Sequence, residues 1–241
     1  MTGVQTCALP ISLANRTAIP TRPDRVVVID PGHGGENSGT RSVADDHLEK
    51  EFTLDWARRL QPLLEENGWQ VVLTRTNDMD VSLSDRVAVA DRTNAALFIS
   101  LHFNSGARSD QSGLETYCLT PTGMPSNVTR DYEDDTTRVF PNNAFDGQNL
   151  EYAFRLHQAL VEETGEEDRG VRRARFMVVL RGQNRPAILV EGGYMSNLRQ
   201  ARSIADPDYR QKLAEAMAKA LPRTDPILEP SSLNAASQVT P

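Results

Sequence analysis

Four consecutive β-branched residues, Val26-Val27-Val28-Ile29, run straight into Asp30-Pro31-Gly32-His33-Gly34-Gly35. A short run of this kind, unbroken by charge, suits a strand buried on both faces of a parallel sheet. Proline and three glycines then end it and turn the chain. Open α/β sheets place their ligands just beyond the carboxyl ends of their strands, so His33 stands where a functional side chain would. A turn that merely contains a histidine fits this stretch equally well. The rest of the chain has to decide between them.

The arrangement recurs twice. Ala95-Ala96-Leu97-Phe98-Ile99-Ser100-Leu101 is a second apolar run, with His102 at its end and Asn104-Ser105-Gly106 turning away after it. Arg185-Pro186-Ala187-Ile188-Leu189-Val190 is a third, ending on Glu191 and followed by what reads as a glycine turn from Gly192-Gly193. Parallel strands joined by crossover helices align their carboxyl ends on one edge, so these side chains are expected to face one crevice.

Between the runs the period changes to that of helices. Phe52, Trp56, Leu60 and Leu63 make one apolar face, with Asp55, Arg58 and Arg59 opposite. Pro62 predicts a bend or break near the last turn, and Gly68 a stop before a strand over residues 69–74. At about 100° per residue, Glu49 falls on the same face as Phe52, Trp56 and Leu60, at the helix start. A carboxylate on that inward edge needs a partner: the helix amino terminus or a cation.

Further expected elements are a helix over 84–94, capped by Ser82 or Ser84, a strand over 113–119, and helices over 150–164 and 209–221. Phe176–Leu180 is a short apolar segment. Residues 120–148 read as an irregular insertion loop, long enough to be functional or mobile. His47, on the polar loop near Glu49, is a weak alternative ligand. His157, beside Phe154 and Leu160, reads as a helix-surface or core-edge residue.

The ends of the 241-residue chain read differently. Met1–Ser12 resembles the read-through of a sequencing adapter, so residues 1–23 are set aside as an artefact and disordered leader. With Cys7 set aside, Cys118 alone cannot form an internal disulfide. Residues 222–241, rich in Pro, Ser, Ala, Asn and Thr, read as a flexible tail. A single α/β domain over 24–221 remains. The net charge of −7 argues against a nucleic-acid partner. No apolar run approaches the ~20 residues needed to span a bilayer.

Two histidines and two glutamates thus converge on one edge. Two His and one Glu with an open fourth position is a catalytic zinc arrangement, and a second, unligated carboxylate can accept a proton from the activated water. Spacing alone does not say which glutamate ligates. Glu49 on a rigid helix suits the ligand; Glu191, beside two small residues, suits the base.

The motif Asp30-Pro31-Gly32-His33-Gly34-Gly35 and the pair Glu49-Lys50 resemble those of the zinc-dependent N-acetylmuramoyl-L-alanine amidases of the Amidase_3 family. So do Thr74-Arg75-Thr76-Asn77-Asp78, Ile99-Ser100-Leu101-His102-Phe103-Asn104, Asp168-Arg169-Gly170-Val171 and Leu189-Val190-Glu191-Gly192-Gly193-Tyr194-Met195-Ser196-Asn197. The resemblance implies a mainly parallel twisted sheet with helices on both faces. It implies Zn²⁺ held by His33, Glu49 and His102, with Glu191 as catalytic general base. It also implies cleavage of peptidoglycan between N-acetylmuramic acid and L-alanine of the stem peptide, by a monomer in a periplasmic or secreted location, with an activator protein as a possible partner.

Two other functions are weighed against this one. They are a zinc peptidase or amidohydrolase cutting another cell-wall bond, and a catalytically silent peptidoglycan-binding or regulatory module. Some family members carry an autoinhibitory helix near residues 120–148. Here Glu133, Asp134 and Asp135 stand among Pro and Asn without a helical apolar face, so a substrate-side loop is expected. Arg75, Asn104 and Arg181 could touch substrate, but structural hydrogen bonding is the expected role of each.

Overall fold

A computed structural model of the chain describes residues 25–131 and 133–222; the expected leader and most of the expected tail lie outside the described residues. Six strands form one sheet in the order β2-β1-β3-β6-β4-β5. The strands are β1 (Val26–Pro31), β2 (Gln70–Leu73), β3 (Leu97–Asn104), β4 (Leu114–Cys118), β5 (Asp168–Arg173) and β6 (Ala187–Tyr194). All neighbours are parallel except β4 and β6, which are antiparallel. The mainly parallel α/β fold expected from the sequence is the one found.

Alternate residues of each strand point to opposite faces, and the two faces are covered unequally. Val27, Ile29, Leu97, Ile99, Ile188 and Val190 pack against α1 (Glu49–Glu66), α3 (Asp146–Thr164) and α6 (Pro207–Ala220). Val26, Val28, Phe98 and Leu189 pack with α2 (Leu83–Arg92) and α4 (Val178–Arg181), helices of ten and four residues, and with loop residues such as Ala174 and Met177. Continuing the same alternation puts Ser100, His102 and Glu191 on this second, thinly covered face. Cover that short leaves the carboxyl ends of the central strands open to a crevice, and the site lies there.

Several expectations are corrected. Helix α1 runs through Pro62 to Glu66 without breaking, because Leu60 and Leu64 on either side are fully buried and outweigh one lost backbone bond. Leu64, rather than Leu63, completes its buried face. Strand β6 does not end at Glu191 but continues through Gly192 and Gly193 to Tyr194. Gly192 is there for space: a Cβ would sit 2.8 Å from Phe103 and 2.9 Å from Trp56. Helix α3 starts at Asp146, after a 3₁₀ turn over Pro141–Phe145, and the segment 176–180 holds the single helical turn α4. Strand β5 and helix α5 (Leu198–Ala205) have no counterpart in the sequence reading.

Candidate functional site

The turn after β1 is held from several sides. Asp30 is buried and accepts from Thr74 Oγ1 at 2.6 Å, Ser100 Oγ at 2.8 Å and Arg86 Nη1 at 2.5 Å, which ties β1 to both neighbouring strands and to α2. Arg75, also buried, donates to the carbonyls of Pro31, Gly32 and Lys50 at 2.8–3.0 Å. Its role is structural, as expected. His33 itself sits in the left-handed region, with φ at 63°, a conformation uncommon outside glycine and enriched at functional sites.

His33, Glu49 and His102 come together, each offering one ligand atom within 4.8 Å of the others. Glu49 Oε1 lies 3.0 Å from His33 Nε2 and 2.9 Å from His102 Nδ1. Ligand atoms around a tetrahedral zinc with ~2 Å bonds stand about 3–3.5 Å apart, so these spacings suit that ion. Backbone donors aim the carboxylate: Phe103 N–H reaches Oε1 at 3.0 Å and Thr40 N–H reaches Oε2 at 2.9 Å.

The hydrogen-bond inventory around His33 points the same way. Asn37 Oδ1 accepts from Gly39 N–H at 3.3 Å, which identifies it as the oxygen, and it lies 2.7 Å from His33 Nδ1. Nδ1 therefore carries the proton. In neutral imidazole Nε2 is then an acceptor, yet it faces a carboxylate oxygen. A proton or a metal cation must stand between them, and a second-sphere partner on the far nitrogen is the usual setting of a metal-binding histidine. Burial works against ionising Glu49, but bonds from His102 and His33 outweigh it and hold the carboxyl well below the ordinary range. Burial also opposes charging His33, and the Glu49 and Asn37 bonds raise it above its usual value all the same.

Glu191 is the register partner of His102 on the adjacent strand and lines the same cavity of about 290 Å³ as the three clustered residues. Its Oε2 is buried without a hydrogen-bond partner. Burial first, then the nearby Glu49 carboxylate, pushes its pKa well above the carboxylate range. A carboxyl group kept in that state within a central strand is costly for the fold and marks a functional-site candidate.

The remaining candidates fall elsewhere. His47 pairs with Glu51 at 3.0 Å on the exposed side of α1 and stays out of the cluster. His157 is buried rather than at the helix surface, between Thr116 Oγ1 at 3.1 Å and Asp168 Oδ1 at 2.8 Å, joining α3 to β4 and β5. Arg181 donates to the Arg175 carbonyl.

In the 120–148 segment Asp134 bonds Arg175 at 2.5 Å and Asp135 bonds Thr137. Among the described residues, no carboxylate of this segment joins the cluster. What the segment does bring to the cavity is a cation, Arg130. Sequence reasoning missed Arg130 and Asn37, neither of which stands in an apolar pattern that would have drawn attention to it.

A family model described as N-acetylmuramoyl-L-alanine amidase matches residues 27–223. The N-acetylmuramoyl-L-alanine amidase LytC of Bacillus subtilis is 32% identical over 212 residues, 88% of this chain and 38% of LytC. The catalytic domain of CwlV, an N-acetylmuramoyl-L-alanine amidase from Bacillus (Paenibacillus) polymyxa var. colistinus, superposes with a TM-score of 0.68 at 31% identity, covering 82% of this chain and 96% of that one. The CwlD amidase of Clostridioides difficile, solved in complex with the GerS lipoprotein, shares the fold at 22% identity, with a TM-score of 0.68 over 82% of this chain and 96% of that one.

Proposed function

The chain belongs to the N-acetylmuramoyl-L-alanine amidase family and is a peptidoglycan amidase; from that premise we propose that it works with a zinc ion held by His33, Glu49 and His102 and with Glu191 as general base. The observation that carries this reading is the unpartnered, buried Glu191 carboxyl, one strand across from His102 and facing the same cavity as the three clustered residues.

Zinc bound there supplies positive charge that acidifies a water and polarises the scissile carbonyl between the lactyl group and L-alanine. The chain's own groups do the rest. Asn37 keeps His33 in the tautomer that presents Nε2, and Phe103 and Thr40 fix the Glu49 carboxylate through their backbone N–H groups. Glu191 takes the proton of the attacking water and returns it to the alanine nitrogen as the C–N bond breaks. Its unused Oε2 is the acceptor for that proton. The proposed location is periplasmic or secreted, where the intact cell wall lies. Among the described residues no helix is long and apolar enough to cross a membrane.

The test is digestion of purified peptidoglycan followed by mass spectrometry, with chelator and with zinc restored. Free stem peptides are expected, lost with chelator and regained with zinc. Cleavage within the peptide would move the assignment to another cell-wall bond, and a zinc-loaded but inert protein would make it a silent module.

Because no described carboxylate of the 120–148 segment lies on the cluster, the site is proposed to be open without an activator. Deleting residues 127–142 is therefore expected to leave turnover no higher than in the full chain. Loss of the Asp134–Arg175 pair and of the Asn142 bond to the Arg185 carbonyl is expected to lower the melting temperature. A many-fold gain in turnover on the same deletion would instead identify the segment as inhibitory.

A further inference from the structure

One cavity is left unused by the chemistry above. It holds about 350 Å³, adjoins the metal cluster's own cavity through Asn104 and Arg130, and lies along β4 and β5 beside the carboxyl end of β3. Three guanidinium groups border it, those of Arg130, Arg169 and Arg172, against one carboxylate, Glu115. In a chain with a net charge of −7, such a local surplus of cations is a built feature rather than the average surface.

Glu115 cannot be the working group here, because it is saturated. Its Oε1 accepts from Arg169 Nε at 3.0 Å and Arg172 Nη2 at 3.4 Å. Its Oε2 accepts from Asn104 Nδ2 and Tyr117 OH, both at 2.9 Å. It serves to hold two arginines in place. The neighbouring carboxylates are also engaged, Glu167 by Ser112 and Asp168 by His157.

The donors are not used up to the same degree. Arg172 Nε is buried and without a partner. Arg130 reaches Asn104 Oδ1 and Tyr117 OH only at 3.5 and 3.4 Å, and stacks over Tyr117 and Phe176. Planar guanidinium forks in surplus, held from behind, are the usual receptor for a carboxylate.

Resting on the amidase reading above, we propose that this cavity is the subsite for a free carboxylate of the stem peptide, with Arg130 and Arg172 as specificity-determining residues. The scissile bond is cut at the metal cluster, and a peptide extends about 3.3–3.6 Å per residue. A carboxylate carried by the second or third stem residue therefore arrives in the adjoining cavity rather than in the metal site. The enzyme is accordingly selective for acid-form stem peptides over amidated ones.

The experiment compares kcat/KM on three muramyl tripeptides, each muramyl-L-Ala-γ-D-Glu-L-Lys. One carries both carboxylates free, one has the second-residue carboxylate amidated, and one has the terminal carboxylate amidated. One of the two amidations is expected to lower kcat/KM about tenfold or more, chiefly through KM, which also identifies the carboxylate that binds. Arg172→Gln is expected to bring the acid-to-amide ratio close to one. Arg130→Gln, at an exposed position, is expected to reduce the ratio in the same direction. Equal rates on all three substrates would overturn the subsite while leaving the amidase reading intact, as would an undiminished ratio in both variants. Failure to cleave any of the three would bring down the amidase reading itself, and the subsite with it.

Discussion

Replacing Glu191 by Gln is expected to lower turnover by about 10²–10⁴-fold while the protein keeps its full zinc content. The amide has the shape of the carboxyl group but cannot take a proton from water at neutral pH. Zinc retention is expected because His33, Glu49 and His102 make their contacts with one another and with backbone donors, and none of those contacts involves Glu191. Stability separates loss of chemistry from loss of fold. Glu191 is buried with Oε2 unpartnered and lies near the Glu49 carboxylate, so its carboxyl group is a burden on the folded state. A neutral side chain of equal volume relieves that burden, and the melting temperature of the metal-free variant is expected to be no lower than that of the parent. This is the familiar opposition between stability and activity at a working site. Steady-state kinetics, zinc analysis and a thermal melt together decide the matter. A variant within tenfold of parental turnover would remove Glu191 from the role of base, whatever the metal does.

The parts of this site that could be read from the chain alone share a physical cause. His33 and His102 follow short β-branched or apolar runs, and burial on both faces leaves such runs few ways to fold. Glu49 was legible because helical period places it on the face of Phe52 and Trp56. Where the signal depends on tertiary crowding, the sequence is silent. Gly192-Gly193 looks like a turn, and only the Trp56 and Phe103 rings packed against Gly192 explain why the strand continues through it. Strand β5 contains four charged residues and a single β-branched one at the edge of the sheet, so alternation is absent and pairing with β4 alone makes it a strand. The arginine cluster was invisible for the same reason. Arg130 is far from Arg169 and Arg172 along the chain, and only β4, with Glu115 and Tyr117, brings the three to one place.

Replacing Gly32 by Ala is expected to weaken zinc binding by about 10–100-fold, a loss of the order set by removing the support of a ligand. Gly32 does not adopt a positive φ, so alanine meets no backbone penalty there. The obstacle is the His102 imidazole: a Cβ at Gly32 would lie 2.3 Å from its Cε1, 2.4 Å from Nε2 and 2.7 Å from Nδ1. Carbon atoms in contact rest about 3.5–4.0 Å apart, so more than an ångström must be found. The backbone cannot supply it easily. Gly32 N–H donates to the Leu101 carbonyl at 3.0 Å, and the Gly32 carbonyl accepts from Thr53 Oγ1 and Arg75 Nη2, both at 2.9 Å. The ring must therefore move, and it carries Nδ1 away from Glu49. Metal–ligand distances tolerate only about 0.2 Å, so the displaced imidazole no longer completes the set with His33 and Glu49. Overpacking of this kind costs about 1–3 kcal/mol of stability, a modest drop in melting temperature that leaves the chain folded. Gly147→Ala is the matched control, because a Cβ there meets nothing within 4 Å. Zinc affinity measured by competition with a chelator, on folded protein, is the deciding quantity. Parental affinity in a folded Gly32→Ala variant would mean that His102 does not hold the metal from the position described, and the ligand set would have to be sought elsewhere along the same edge.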